Sequence, residues 1–297
     1  MKIAIVGPGA IGTFLAGILG KRNEVDLLGR RPLEIENVEV IGKTEVKTSV
    51  NYTCSPSDIS DDDLIIICTK AFDTEEAVST LSKYISDPIV LSLQNGLNNE
   101  RVISGYVKDG LTIGGITTNG VTFLEPGKVK HAGKGDTIIG KYPEGINEYV
   151  ERVSQTFNEA NVETKTSDHI MDHIWEKAVV NSGINPLTSV LEVKNGLLIE
   201  DDHLNELLEN IILESGSIAE EQVETSKEIL VSRAKEVAKN TSDNFSSMLQ
   251  DIKNESRTEI DQINGEIINK GRELGLSTPI NETLFNLIKF KESTYLE

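Results

Sequence analysis

Lys2-Ile3-Ala4-Ile5-Val6-Gly7-Pro8-Gly9-Ala10-Ile11-Gly12 is the stretch whose reading decides the fold. A strand-like run, Lys2 to Val6, leads directly into a G-x-G-x-x-G pattern, and the pattern opens a helical run from Ala10 to Leu19. The pattern needs that context to carry weight. Its glycines permit a tight turn, close approach of backbone to a pyrophosphate, and close helix–strand packing. The helix that follows offers unpaired N–H groups and a positive dipole end to phosphate. The plain alternative is an ordinary Gly-rich turn between a strand and a helix.

The next strand, Glu24-Val25-Asp26-Leu27-Leu28-Gly29, ends at Arg30-Arg31. An acid at this place suits the ribose 2′-hydroxyl of NAD, whereas an arginine suits the 2′-phosphate of NADP. Arg30 is therefore the expected phosphate ligand, with Arg31 behind it. Two solvated loop arginines are the alternative, and Glu34 and Glu36 follow closely.

Up to about residue 165 the pattern alternates, with strands expected at 2–6, 24–29, 63–69 and 89–93 and helices at 10–20, 73–85 and 97–105. Such alternation predicts a parallel sheet with helices on both faces. Glycine-punctuated β-prone pieces follow, Gly127 to Ala132 and Thr137 to Gly140, and are expected at the far end of that sheet with antiparallel pairing. A helix at 146–159 and a strand from Val162 to Thr166 complete a first domain, residues 1–166. Acids 61–63 are expected to cap the turn before a strand. From Ser167 onward β character ceases, so residues 167–297 are expected to form an all-α domain. Ser167-Asp168 caps its first helix, and Pro186, which lacks an N–H, ends or kinks it. Further helices are expected at 203–223, 227–239, 246–274 and 281–292, with Gly275 or Gly271 stopping the third.

The 297 residues suffice for two domains and carry 48 acids against 29 bases, a formal net charge of −19. That balance repels nucleic acid and anionic membrane surfaces, so neither is an expected partner. Cys54 and Cys68 have no redox or metal spacing, which fits a reducing compartment such as the cytoplasm. Neither a signal peptide nor a membrane span is expected.

Lys177, Asn181 and Asn185 recur every four residues, a slowly drifting row on a helix, flanked by Ala178, Val179, Val180 and Ile184. One amine and two amides among apolar neighbours suit a substrate wall with a proton donor. They equally suit a polar stripe bonding a neighbouring helix, and spacing alone does not choose.

The run from Trp175 to Val190, Trp-Glu-Lys-Ala-Val-Val-Asn-Ser-Gly-Ile-Asn-Pro-Leu-Thr-Ser-Val, resembles the hallmark of ketopantoate reductases (2-dehydropantoate 2-reductases). Thr69-Lys70-Ala71-Phe72, Gln94-Asn95-Gly96-Leu97, the run Ser246 to Ile252, Thr258-Glu259-Ile260-Asp261 and Ile263-Asn264-Gly265 extend the resemblance in the family's order. It covers residues 1 to about 292. It implies an NADPH-dependent reduction of 2-dehydropantoate to (R)-pantoate, on the route to pantothenate and coenzyme A, by a Rossmann-like domain followed by a helical one. By resemblance, Gly7, Pro8, Gly9, Ala10, Ile11 and Gly12 form the cofactor loop and Arg30 takes the 2′-phosphate. Lys70 and Asn95 lie near cofactor and substrate at the ends of central strands. Lys177 is the proton donor. Asn181, Asn185, Asn195, Asn244 and Ser247 bind substrate, as does Asn95, and Glu259 lies near the nicotinamide with a catalytic role. By resemblance Gly120 replaces a cofactor-contacting alanine, and the stretch before it, Gly114 to Asn119, departs somewhat from the family pattern.

The chemistry agrees with these roles. Hydride attack on a 2-keto carbon leaves an alkoxide, which a lysine ammonium can stabilise and protonate. A single helix over 247–259 would separate Ser247 from Glu259 by about 18 Å, which would divide them between substrate and cofactor. His169 and His173 are spaced like a helical metal pair but lack a third ligand, and surface or capping roles are expected instead. Cys68 reads as a buried small side chain, and the Leu/Ile pattern of 204–213 as core or as the interface of a homodimer through the helical domain.

Overall fold

The computed structural model describes residues 1–59 and 62–296. Asp61, one of the three acids expected to cap a turn, lies outside them. Asp63 fastens to the start of the first strand instead, accepting from Lys2 N at 3.1 Å.

The chain divides into two compact units. One comprises Met1–Gln94 and Asn99–His173, the other Asn95–Asn98 and Ile174–Glu297. The first opens with β1 (Lys2–Val6), α1 (Ala10–Leu19), β2 (Glu24–Leu28), β3 (Asn37–Gly42), β4 (Val46–Ser49), β5 (Asn51–Thr53) and β6 (Leu64–Ile67). It continues with α2 (Thr74–Leu81), β7 (Ile89–Ser92), α3 (Asn99–Ser104), β8 (Thr112–Thr117), β9 (Gly120–Glu125), β10 (Lys128–Gly133) and β11 (Thr137–Lys141). It then closes with α4 (Glu148–Glu159) and β12 (Thr164–Thr166).

Eight strands form the main sheet in the order β12-β11-β8-β7-β6-β1-β2-β5. All neighbours from β5 to β8 are parallel, and β11 reverses against β8. Strands buried on both faces read as unbroken apolar runs, as Ile3 to Val6 and Leu64 to Ile67 do. Their alternation divides the core. Ile3, Ile5, Leu64, Ile66 and Leu91 pack with Phe14 and Leu15 of α1 and Phe157 of α4. Ala4, Val6, Ile65, Ile67 and Val90 pack on the other face with Val78, Leu81 and Ile103. The strand order reverses between β1 and β6, and ligands of such sheets bind outside the carboxyl ends of the strands at that point.

The expectation for 127–132 is corrected. β10 leaves the main sheet and joins β3, β4 and β9 in a second sheet, ordered β4-β3-β10-β9. Its apolar face, Val38, Val40 and Val129, closes over α1 in the same core, which explains why α1 is buried from Gly12 to Leu19.

The second unit contains most of α5 (Ile170–Leu191), followed by α6 (Leu197–Glu200), α7 (Asp202–Ala219), α8 (Lys227–Asn240), α9 (Ser247–Lys253), α10 (Glu266–Leu274) and α11 (Pro279–Ser293). Caps set the boundaries: Asp201, Ser226 and Ser246 each accept from a first-turn N–H. Gly275 ends α10 in the left-handed conformation, φ 71°.

Two helix expectations are corrected. Pro186 does not end α5, which continues to Leu191; the carbonyl it leaves unserved finds a side-chain donor, described below. The helix expected over 246–274 breaks after Lys253, passes Glu255 at φ 52° and resumes in a π turn at Asp261–Gly265 that runs into α10. Ser247 and Glu259 therefore do not share a helix, and the 18 Å separation no longer applies.

Candidate active site

The glycine loop, Gly7–Gly12, lies at the end of β1. Gly7 adopts φ +104°, and a Cβ there would stand 2.8 Å from Thr69 N and 2.9 Å from the Cys68 carbonyl carbon. A Cβ on Gly12 would stand 2.0 Å from Gly7 O, so both positions are closed to any larger residue. Gly9 differs: a Cβ there meets nothing within 4 Å. Space is open above its backbone, where a ligand can approach. Gly9 is the N-cap of α1, with no side-chain cap and no acid in the first turn. These features fit a pyrophosphate at the helix N-terminus.

Lys70 follows Thr69 at the end of β6. Gln94, buried, donates to Thr69 O at 3.0 Å, Thr69 Oγ1 at 3.2 Å and Thr74 Oγ1 at 2.8 Å, which fixes the turn carrying Lys70. Cys68 beside it is an apolar filler, and burial pushes its thiol up to about 12.

Arg30 follows β2 and is exposed. It pairs with Asp73 at 2.6 Å and Glu76 at 3.3 Å, and the Asp73 hydrogen bond raises its pKa above the ordinary value. The pair with Glu76 is exposed on both sides and holds weakly, whereas Asp73, its side chain 20% exposed, is the stronger competitor that a phosphate would displace. Tyr52 OH donates to Arg31 O at 2.6 Å and steadies the turn; burial, then its bond to Cys54, pushes that phenol up to about 12. Gly120 opens β9, and a Cβ there would stand 3.3 Å from Gly133 N.

In the second unit, α5 presents Lys177 and Asn181 half-buried and Asn185 buried, while Ala178, Val179, Val180 and Ile184 fill the core. Thr188 Oγ1, one turn beyond Ile184 and 2.7 Å from its carbonyl, lies 2.8 Å from Ser246 Oγ, the cap of α9. That bond fixes the start of α9, and Ser247 with it, against the end of α5. Asn195 N donates to Asn244 O at 3.0 Å, and Asn195 Nδ2 to Thr241 Oγ1 at 2.9 Å. Ser247 and Asn244 are exposed and Asn195 is buried.

Glu259, 5% exposed, receives Asn95 Nδ2 at 3.2 Å. Asn95 reaches it because the segment Asn95–Asn98, although it follows β7, lies in the helical unit. Leu97 N donates to Gln262 O at 2.9 Å, and Asn98 bonds the Glu266 carboxylate. Gly96 adopts φ +85° with its Cα close over the Gln262 backbone. Behind Glu259, Thr258 N and Oγ1 both donate to Glu292 at 2.7 Å. Gln94 in the first unit thus holds the turn of Lys70, and Gly96 and Glu292 in the second hold the segments of Asn95 and Glu259, roles that the sequence reading does not assign them. The Asn-Gly dipeptide was the available signal for Gly96; Glu292 had none.

The structure thus groups Lys70 with the glycine loop in the first unit. In the second it joins Asn95 to Glu259, the end of α5 at Thr188 to the start of α9, and Asn195 to Asn244.

The sequence model of the family described as "Ketopantoate reductase PanE/ApbA" matches residues 3–144, and "Ketopantoate reductase PanE/ApbA C terminal" matches 169–292. The 2-dehydropantoate 2-reductase of Pyrococcus horikoshii is 41% identical over 302 residues, covering 99% of this chain and 98% of that one. A D-mandelate dehydrogenase solved with NADH and anilino(oxo)acetate superposes with a TM-score of 0.92 at 29% identity, 99% of each chain being covered. The 2-dehydropantoate 2-reductase of Geobacter metallireducens GS-15 superposes with a TM-score of 0.91 at 26% identity, over 98% of this chain and 99% of that one.

Proposed function

The chain belongs to the ketopantoate reductase family, and from that premise we infer that it reduces 2-dehydropantoate to (R)-pantoate with NADPH, on the route to pantothenate and coenzyme A. The observation that carries this reading is the joining of Glu259 to Asn95 in the same helical unit that holds the Lys177–Asn181–Asn185 row. The cofactor, when bound, supplies a hydride to the keto carbon. Lys177 gives its ammonium proton to the resulting alkoxide oxygen and stabilises the charge that develops there. Asn181, Asn185, Asn195, Asn244 and Ser247 orient the substrate's carboxylate and hydroxyl without adding charge. Glu259, held by Asn95, serves the nicotinamide side, and Lys70 and Asn95 complete that side. The glycine loop with Pro8, Ala10 and Ile11 holds the pyrophosphate. Arg30 exchanges Asp73 and Glu76 for the 2′-phosphate.

In this reading residues 1–166 bind cofactor and 167–297 bind substrate, except that Asn95–Asn98 serve with the latter. A homodimer through the helical unit and a cytoplasmic location belong to the same reading. Sedimentation and cell fractionation test them.

The likeness to a D-mandelate dehydrogenase solved with NADH favours a second reading, an NADH-dependent 2-hydroxy acid dehydrogenase. Following the oxidation of NADPH or NADH by absorbance, against 2-dehydropantoate or phenylglyoxylate, separates the two. Turnover of 2-dehydropantoate with NADPH well above the other three pairings is the expected result. A preference for phenylglyoxylate with NADH overturns the first reading.

A further inference from the structure

A proline within a helix removes one N–H, and the carbonyl four residues earlier loses its donor. In α5 that carbonyl belongs to Ser182, and it stands between Asn181 and Asn185. A buried carbonyl without a donor is costly. Asn264 supplies the bond, its Nδ2 lying 3.0 Å from Ser182 O. Asn264 is fully buried, and it sits in the π turn that begins two residues after Glu259. The turn is wide, with Gly265 N reaching back to Ile260 O at 3.0 Å. π turns of this kind recur at functional sites.

We propose that Asn264 is a positioning residue. It sets the Lys177–Asn181–Asn185 row in register with the segment bearing Glu259, by donating to the carbonyl that Pro186 cannot serve. The proposal rests on the functional reading above. The amide is itself held in place. Asn264 Nδ2 also lies 2.9 Å from Asn281 Oδ1, and Asn281 Nδ2 donates to Glu214 Oε1 at 2.8 Å and to Ser215 Oγ at 3.0 Å. Ser215 Oγ in turn meets Ser182 Oγ at 2.9 Å, which returns the network to α5. The network thus meets Ser182 twice, at its carbonyl through Asn264 and at its hydroxyl through Ser215. A purely structural tie could be made anywhere along α5. This one is made between two of the three residues of the row, from the segment that carries Glu259.

The test is a double-mutant cycle read thermally and kinetically. Asn264→Ala lowers the thermal midpoint by about 3–9 °C. Pro186→Ala in that background returns at least half of the loss, because alanine at this position restores an N–H for Ser182 O. In Asn264→Ala the KM for 2-dehydropantoate rises about tenfold or more while NADPH affinity changes less than about twofold, as displacement of one wall of a site requires. Asn264→Ser gives the same split if the alanine variant does not fold. Thermal effects that simply add refute the pairing. Unchanged KM and kcat in a folded variant, or an equal loss of NADPH affinity, refutes the positioning role. Absence of 2-dehydropantoate turnover in the wild type would instead refute the functional reading, with the thermal cycle still deciding the pairing.

Discussion

Replacing Gly96 by alanine isolates the contact that brings Asn95 to Glu259. The backbone at Gly96 has φ +85°, and a Cβ would lie 2.6 Å from Gln262 O and 2.9 Å from Gln262 Cβ, against the 3.4 Å at which ordinary contact begins. The obstruction is backbone, not the movable tip of a side chain, so the segment must retreat by about 0.8 Å, the difference between 3.4 and 2.6 Å. Left-handed geometry costs alanine about 1–2 kcal/mol. The retreat also strains two hydrogen bonds, Leu97 N to Gln262 O at 2.9 Å and Asn95 Nδ2 to Glu259 at 3.2 Å. The second is to a carboxylate and is worth about 1.5–3 kcal/mol. The left-handed strain lowers stability, while loss of that bond's about 1.5–3 kcal/mol corresponds to a fall in kcat/KM for the keto acid of about 10- to 150-fold. The glycine loop at Gly7–Gly12 is untouched, so NADPH affinity by fluorescence titration should change little. A Gly96→Ala enzyme that folds and keeps kcat/KM close to that of wild type would show that this segment is not what holds Glu259.

Lys177→Ala should cut kcat by about 10²–10⁴-fold and remove the basic limb of the pH–rate profile, with NADPH affinity retained; a near-normal kcat transfers the donor role to Lys70. Arg30→Ala should weaken NADPH about tenfold or more while NADH changes less than about twofold, by titration of each cofactor; equal losses would remove Arg30 from the phosphate site. His131, buried against Phe14 and bonded to Thr44 and Asn119, has its pKa lowered chiefly by burial. Its neutral form is therefore favoured by folding, and that stability is present above the unfolded value of about 6.5 and lost as pH falls below it. The thermal midpoint of wild type should accordingly fall more steeply than that of His131→Gln between about pH 7 and 5, and parallel slopes would rule this out.

The glycine pattern after an apolar strand predicted the parallel sheet, because the same residues that make the turn also make the phosphate site. The apolar runs at Leu64 to Ile67 and Ile89 to Ser92 predicted central strands for a related reason: burial on both faces leaves no polar positions. The second sheet was not legible. β3, β4, β9 and β10 are short and half-exposed, and their pairing joins residues near 40 to residues near 130, a distance no local pattern encodes. The row on α5 is legible as spacing, and the burial of its neighbours Ala178, Val179, Val180 and Ile184 fits a substrate wall and a polar stripe equally, because helical spacing records which residues share a side and not what that side meets. Pro186 marked a broken hydrogen bond correctly, and of its two expected outcomes, an end or a kink, the end is removed, since the missing donor comes from Asn264 and sequence separation hides it. The pairing of Arg30 with Asp73 and Glu76 was not legible, because those acids lie more than forty residues further along the chain.

The four residues Asn95–Asn98 carry a consequence for biosynthesis. Their bonding partners Glu259 and Glu266 lie 164 and 168 positions further along the chain. A ribosome therefore delivers this loop long before the helices that receive it. During that interval the nascent sheet can close and its glycine loop can form, but the residue that holds Glu259 has nothing to hold. A protein truncated after the first unit, or a chimera that exchanges the helical half as one contiguous piece, inherits the same defect: a native nucleotide fold whose donated loop belongs to a partner it does not have. Grafting the helical half between relatives therefore requires residues 95–98 to travel with it.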